Sequence, residues 1–166
     1  LCNNLNQTPD FVYSVSCTTR QARRGEVDGV DYRYLEVEDF KKRMEAGDFL
    51  EHALVHEKYY YGTLRSDVLE HLDAGTDVLL DIDVQGVDSL KSSFGPRCLS
   101  VFLLPPSMEA LEQRLRARNT ESEEKIQQRL AAAKEEIARA KDFDVKIINS
   151  DLEHTFKELC TIVERE

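Results

Sequence analysis

DVLLDIDVQG, residues 77–86, decides the fold. Its first six residues, Asp77 to Ile82, are close to continuously apolar, and the rest turn on an acid and a glycine. An apolar run without alternation is what a strand covered on both faces requires, as in a parallel sheet flanked by helices. CLSVFLL (Cys98 to Leu104) and VKII (Val145 to Ile148) read the same way, and Phe11 to Val15 adds a further strand. Helical stripes lie between and after them: Met108, Leu111 and Leu115; Ile126, Leu130, Ala133, Ile137 and Ala140; Leu152, Phe156, Leu159 and Val163. The longest of these helices is expected from about Glu121 to Lys141. Strand and helix alternate from residue 77 onward, which predicts an α/β domain with a parallel sheet core flanked by helices.

Start and stop signals fit this layout. Thr120 with Glu123, and Ser150 with Glu153, have capping-box spacing. Gly47 and Gly75 stand where helices over 37–46 and 64–74 end. Residues 30–62 differ, because DYRYLEV, FLEHALV and KYYYG are short aromatic-rich strands interleaved with one helix. They predict a small mixed-sheet insertion.

Composition narrows the function. At 166 residues the chain fits one domain with a proper core. A formal net charge of −10 argues against binding duplex nucleic acid through its backbone. No apolar run approaches the roughly 18 residues of a membrane span, and the first ten residues lack the regions of a signal peptide. Cys2, Cys17, Cys98 and Cys160 are far apart in sequence, which predicts reduced thiols and a cytoplasmic location. Small-molecule chemistry is favoured.

Against that acidic background, Arg20, Arg23 and Arg24 stand beside Ser14, Ser16, Thr18 and Thr19, followed by a turn through Gly25, Glu26, Asp28 and Gly29. Alone, RQARR fits a solvated basic turn; among those hydroxyls it fits a phosphate-sized anion better. Asp81 and Asp83 emerge beyond the carboxyl end of a strand, where open α/β sheets bind ligands. There they can orient a Mg²⁺ hydration shell or accept hydrogen bonds from a base or ribose, and Asp83 can equally cap a helix beginning near Val84. Lys58 to Thr63 offers phenols and a hydroxyl, or else an aromatic edge strand. Glu51 sits in an otherwise apolar strand and needs a partner, either an arginine of this chain or a ligand donor. Arg114 and Arg118 lie one helical turn apart before a polar turn, with Arg129 returning, as an ordinary charged hairpin or as a flap over a polyphosphate. His52 and His56 have no evident third ligand, and no metal site is expected from them.

Taken together, FVYSVSCTTRQARRGEVDGVDY, GDFLEHA, YYGT, VLLDIDVQG, FLLPPS, RLRARNTESEEKIQQRLAAAKEEI and IINSDLEHTFKEL, in this order, resemble the guanylate kinase family over essentially the whole chain. The resemblance implies a P-loop NTPase-like core over residues 1–166, a GMP-binding subdomain at about 30–62 and a helical lid at about 113–130. It implies transfer of the γ-phosphoryl of ATP to GMP with Mg²⁺, by a monomer or homodimer, as a step in GTP and dGTP supply. Carried over by position, Arg20, Arg23, Tyr32 and Tyr61 would hold the GMP phosphate, and Ser16, Glu51, Thr63 and Asp83 would read the guanine edge. Glu26, Gly62 and Asp81 complete the implied GMP set, and Asp81 would also be catalytic, lying near the metal and the transferring phosphoryl group. Arg114, Arg118 and Arg129 would be catalytic arginines of the lid and donor side, with Arg114, Arg118 and Asn149 on ATP.

Three departures qualify the match. No GxxxxGK[ST] occurs, so residue 1 is expected to fall inside the first helix, with the phosphate loop upstream of it and ATP binding poor without that loop. Ala22 replaces a usual proline and Asn119 a usual lid glycine. A different class stays open beside the enzyme: scaffold-type guanylate-kinase-like domains bind phosphorylated peptides. The base-reading residues argue against it here.

Overall fold

The computed structural model describes residues 11–55, 57–117 and 122–163. The described residues divide into two compact units, one up to Cys98 and the other from Leu99 onward. No helix among the described residues is long and apolar enough to cross a membrane.

In the first unit, β1 (Phe11–Tyr13) pairs in parallel with β6 (Asp77–Leu79), matching Val12 to Val78. The strand predicted over Asp77 to Ile82 is thus paired for only half its length. Leu80 and Ile82 instead join the cluster of Leu50, Val68 and Leu90 through their side chains alone. That cluster lies against α2 (Arg65–Asp73) and α3 (Val87–Phe94), which contribute Val68, Leu72, Leu90 and Phe94.

The second sheet of this unit is mixed, in the order β3 (Arg33–Tyr34), β2 (Cys17–Thr18), β5 (Tyr59–Leu64), β4 (Phe49–Val55). Its aromatic strands are those predicted, but β2 comes from SVSCTT, upstream of the 30–62 segment. A two-residue strand carries no period to read. On one face, α1 (Val37–Ala46) lays Phe40 onto Phe49 and Tyr60 in stacked geometry, with ring centroids 4.4 and 5.3 Å apart. Phe40, Phe49, Cys17 and Leu64 form a closed core there, and Phe40 is fully buried.

Strand β4 contains an irregularity that places the rest. Phe49 pairs with Leu64 but Glu51 pairs with Thr63, so the register slips by one between them. Residues two apart on a regular strand share a face. Here the bulge sends Phe49 to the α1 side and Glu51 to the opposite side, while Leu50 enters the α2–α3 cluster.

Both helix stops were read from glycine. Gly47 has φ 74° and its N–H donates to Met44 O, while the N–H of Asp48 donates to Arg43 O. Gly75 does the same after α2, at φ 78°. The left-handed turn suits glycine and satisfies the last carbonyls of each helix.

The second unit pairs β7 (Val101–Leu104) in parallel with β8 (Val145–Ile148). Each strand has one partner among the described residues, and Leu103 and Ile148 remain exposed rather than covered on both faces as expected. Asp144 and Ser100 fasten the start of the pair: Ser100 N–H and Oγ donate to Asp144 Oδ2 at 2.9 and 2.6 Å. The helices α4 (Met108–Ala117) and α5 (Glu123–Ala138) pack as a hairpin around Leu115, Ile126 and Leu130. Arg116 ties them, reaching Glu112 on its own helix and Glu123 across.

Two caps differ from expectation. Ser122 caps α5, accepting from Lys125 N, whereas Thr120 lies outside the described residues. At α6 (Leu152–Val163) the cap is Asp151, whose Oδ1 accepts from His154 N at 2.8 Å, not Ser150. A carboxylate one position nearer the helix outcompetes the serine hydroxyl.

Candidate active site

The arginine turn is built around one residue. Arg20 is 8% exposed and its guanidinium is held from three directions. Its Nη1 and Nη2 donate to the two carboxylate oxygens of Glu26 at 2.9 and 3.0 Å, and its Nε donates to Tyr61 Oη at 3.3 Å. The rings of Tyr32 and Tyr34 lie beneath it at 5.2 and 5.9 Å. Such a fork is fixed before any ligand arrives, which lowers the ordering cost of binding.

Glu26 is the anchor of this arrangement. Besides Arg20 it accepts from Tyr34 Oη at 2.8 Å and from the backbone N–H of Arg23 at 2.6 Å. The hydrogen bonds from Arg20, foremost, hold its carboxyl down to about 2. A depressed carboxyl contributes stability that is present above the ordinary glutamate range and lost as pH falls toward that value. Urea unfolding between pH 5 and pH 2 should therefore show a loss of stability in the native protein that Glu26→Gln lacks. Parallel curves for the two would refute the coupling.

Tyr34 was not singled out from sequence, although the alternation in DYRYL puts it on the same side as Tyr32. Arg23 projects into solvent. Cys17, three residues from Arg20, is buried, and burial pushes its thiol up to about 11, so it is inert packing.

One rung along the same strand lies a second cluster. Tyr61 and Thr63 are two residues apart on β5 and so share a face, about 6–7 Å apart. Thr63 Oγ1 donates to Glu51 Oε1 at 2.5 Å, across the β4–β5 pair. The partner of the buried glutamate is thus a threonine rather than an arginine. Burial pushes the Glu51 carboxyl above its usual range, the Thr63 hydrogen bonds pull it back, and the charge of Asp83 pushes it up further. Ser16 is buried, and Gly62 lies against Phe49 and Phe40, whose ring carbons would stand 3.0 and 3.1 Å from an added Cβ.

Past β6, Asp81 is exposed and Asp83 turns inward on its own loop, its Oδ1 accepting from Gln85 N at 3.0 Å. This is a local turn directly before α3, which begins four residues after Asp83, rather than a cap on a helix at Val84. No group of three metal-ligating side chains occurs among the described residues.

The second unit carries its own polar group. Arg114 Nη2 donates to the carbonyls of Asn149 and Ser150 at 2.8 and 2.9 Å, just beyond the carboxyl end of β8. One nitrogen serves both carbonyls. Asn149 Oδ1 accepts from Thr155. Arg129 is half-buried on α5, and Arg118 and Asn119 lie outside the described residues.

Acids beyond the carboxyl end of a parallel strand, a fixed guanidinium and a buried carboxylate one rung away suit a small phosphorylated ligand. The comparisons agree. The guanylate kinase family profile matches residues 4–166. The guanylate kinase of Salinibacter ruber is 45% identical over 157 residues, covering 95% of this chain and 83% of that protein. That of Nitratidesulfovibrio vulgaris is 50% identical over 155 residues, covering 93% and 74%. Among solved structures, the guanylate kinase of Anaplasma phagocytophilum superimposes with a TM-score of 0.84 at 33% identity, covering 99% of this chain and 79% of that one. The chain belongs to the guanylate kinase family.

Proposed function

We propose that the chain moves the γ-phosphoryl of ATP to GMP, with the GMP phosphate on Arg20, Arg23, Tyr32 and Tyr61 and the guanine edge on Glu51, Thr63, Ser16 and Asp83. One observation carries this reading: Glu51, Thr63 and Tyr61 lie on one face of one sheet, and Arg20, in the bend beyond β2, reaches Tyr61 on that face, so that an acceptor for a base stands one rung from a guanidinium. Guanine offers N1–H and N2–H₂ as donors to a carboxylate, and its O6 accepts from a hydroxyl. Adenine would leave Glu51 unpaired in a buried place, which such sites reject strongly.

In the reaction a GMP phosphate oxygen bonds to the γ-phosphorus as the bridge to ADP breaks, and ADP leaves with that electron pair. The chain forms no covalent bond. Its residues align the acceptor and stabilise charge. Arg20 does so with a fork already fixed by Glu26, and Arg114, Arg118 and Arg129 are assigned to the donor phosphates, with Asn149 toward the adenine. Mg²⁺ fits this donor set as a hydrated ion on ATP phosphates, because the exposed Asp81 can hold its water shell and it needs no cage of protein ligands. When bound it would offset the phosphate charge.

Residues 30–62 are assigned as the GMP subdomain and 113–130 as the lid. The acidic balance supports small nucleotides rather than nucleic acid as partners, and the buried, reduced thiol of Cys17 supports a reducing, cytoplasmic setting. A monomer or homodimer suffices for this chemistry. Coupled turnover of the intact protein tests the function: ADP formation is expected with GMP and little with AMP. Equal rates would defeat it.

A further inference from the structure

Seven glycines occur in the chain, and five of them have positive φ, which explains them. The two others are Gly62, pressed against phenylalanine rings, and Gly86. Gly86 has φ −75° and ψ −21°, a helical conformation open to any residue. It occupies the N-cap of α3, where serine, threonine, aspartate or asparagine would stabilise the helix, and it provides no side-chain cap. Neither backbone nor helix calls for glycine there.

Space does. A Cβ at Gly86 would fall on Glu51 Oε2, with Glu51 Cδ at 3.0 Å and Cγ at 3.1 Å. The other oxygen of the same carboxylate is tied to Thr63 at 2.5 Å. The carboxylate is therefore confined between a hydroxyl on β5 and the bare Cα of Gly86, both buried.

We propose that Gly86 is a positioning residue for base selection: the side chain it lacks is the slot in which the Glu51 carboxylate lies. This rests on the reading of Glu51 as the guanine acceptor. A methyl group at 86 cannot be absorbed by moving backbone, because Glu51 is fixed in β4 and Gly86 at the head of α3, so the carboxylate moves instead. It leaves Thr63 and turns its lone pairs away from the base. Displacement of a recognition group by about 1 Å costs on the order of 10²-fold.

The test compares Gly86→Ala, Glu51→Gln, Glu51→Asp and the double variant Gly86→Ala with Glu51→Asp, measuring kcat/KM for GMP and AMP and the calorimetric Kd for GMP. Gly86→Ala is expected to weaken GMP by on the order of 10²-fold and to shrink the GMP-over-AMP ratio equally. The shorter aspartate leaves room for the methyl, so the double variant should lose less than the product of the two single losses. If Gly86→Ala keeps the native ratio while Glu51→Gln loses it, the inference fails and the Glu51 reading survives. If Glu51→Gln also keeps the ratio, the Glu51 reading itself fails. Equal loss for GMP and AMP together with a lowered Tm would mean packing alone and would overturn the proposal. Should Gly86→Ala fold poorly, Gly86→Ser adds the same Cβ with a favourable cap, and its ratio decides in the same way.

Discussion

Glu51→Gln is expected to lower kcat/KM for GMP by about 10²- to 10³-fold and to collapse the preference for GMP over AMP. The amide keeps one acceptor and turns the other into a donor that faces the guanine donors. A charged acceptor facing two donors contributes about 1.5–3 kcal/mol for each hydrogen bond. The same substitution should raise stability at neutral pH. Burial pushes the native carboxyl upward, so its contribution to folding is fully present below the ordinary glutamate range and is lost as pH rises through the raised native value. A neutral glutamine escapes that loss. Urea midpoints at pH 5 and pH 8 check this, since the variant's advantage should widen with pH. GMP binding needs the ionised form, so KM for GMP in the native protein should rise as pH falls into the raised range. A flat KM would remove Glu51 from base recognition.

Arg20→Ala is the other large effect. It deletes the fork assigned to the GMP phosphate and strands Glu26, a carboxylate only 18% exposed in its side chain. Breaking a largely buried pair from one side costs of order 3 kcal/mol. Loss of an arginine that offsets phosphoryl charge typically costs 10³- to 10⁵-fold in turnover, and kcat/KM for GMP should fall within that range. Adding Glu26→Ala should restore most of the stability and none of the activity. A double variant that recovers activity would show that Arg20 serves the fold and not the phosphate.

The elements that sequence located best are those whose ends are dictated locally. Helix α1 begins and stops as predicted because Gly47 takes the left-handed turn, and VKII is the whole of β8. Strand β6 is shorter than its apolar run, since Leu80 and Ile82 are apolar for packing rather than pairing. Apolarity reports burial, and only a partner strand reports pairing. The residues of the arginine turn were legible by type, while their organisation was not. That Glu26 fixes Arg20 depends on a turn closing six residues into one ring of hydrogen bonds, and Tyr34 joins it only because β3 lies beside β2. The partner of Glu51 was hidden for a similar reason, because Thr63 reaches it through a register that no local pattern encodes.

A regular strand offers two sides, yet Phe49, Leu50 and Glu51 reach three separate destinations: the aromatic layer, the aliphatic layer and the polar side of Thr63. The slipped register supplies the third. Leu50 thereby acts as a rivet between the four-stranded sheet and residues 78–82, immediately beside the acid proposed to read the purine. A swing of that sheet about this point would keep Glu51, the proposed base reader, near the axis, while Arg20, the proposed phosphate ligand beside Tyr61, would sweep the longer arc.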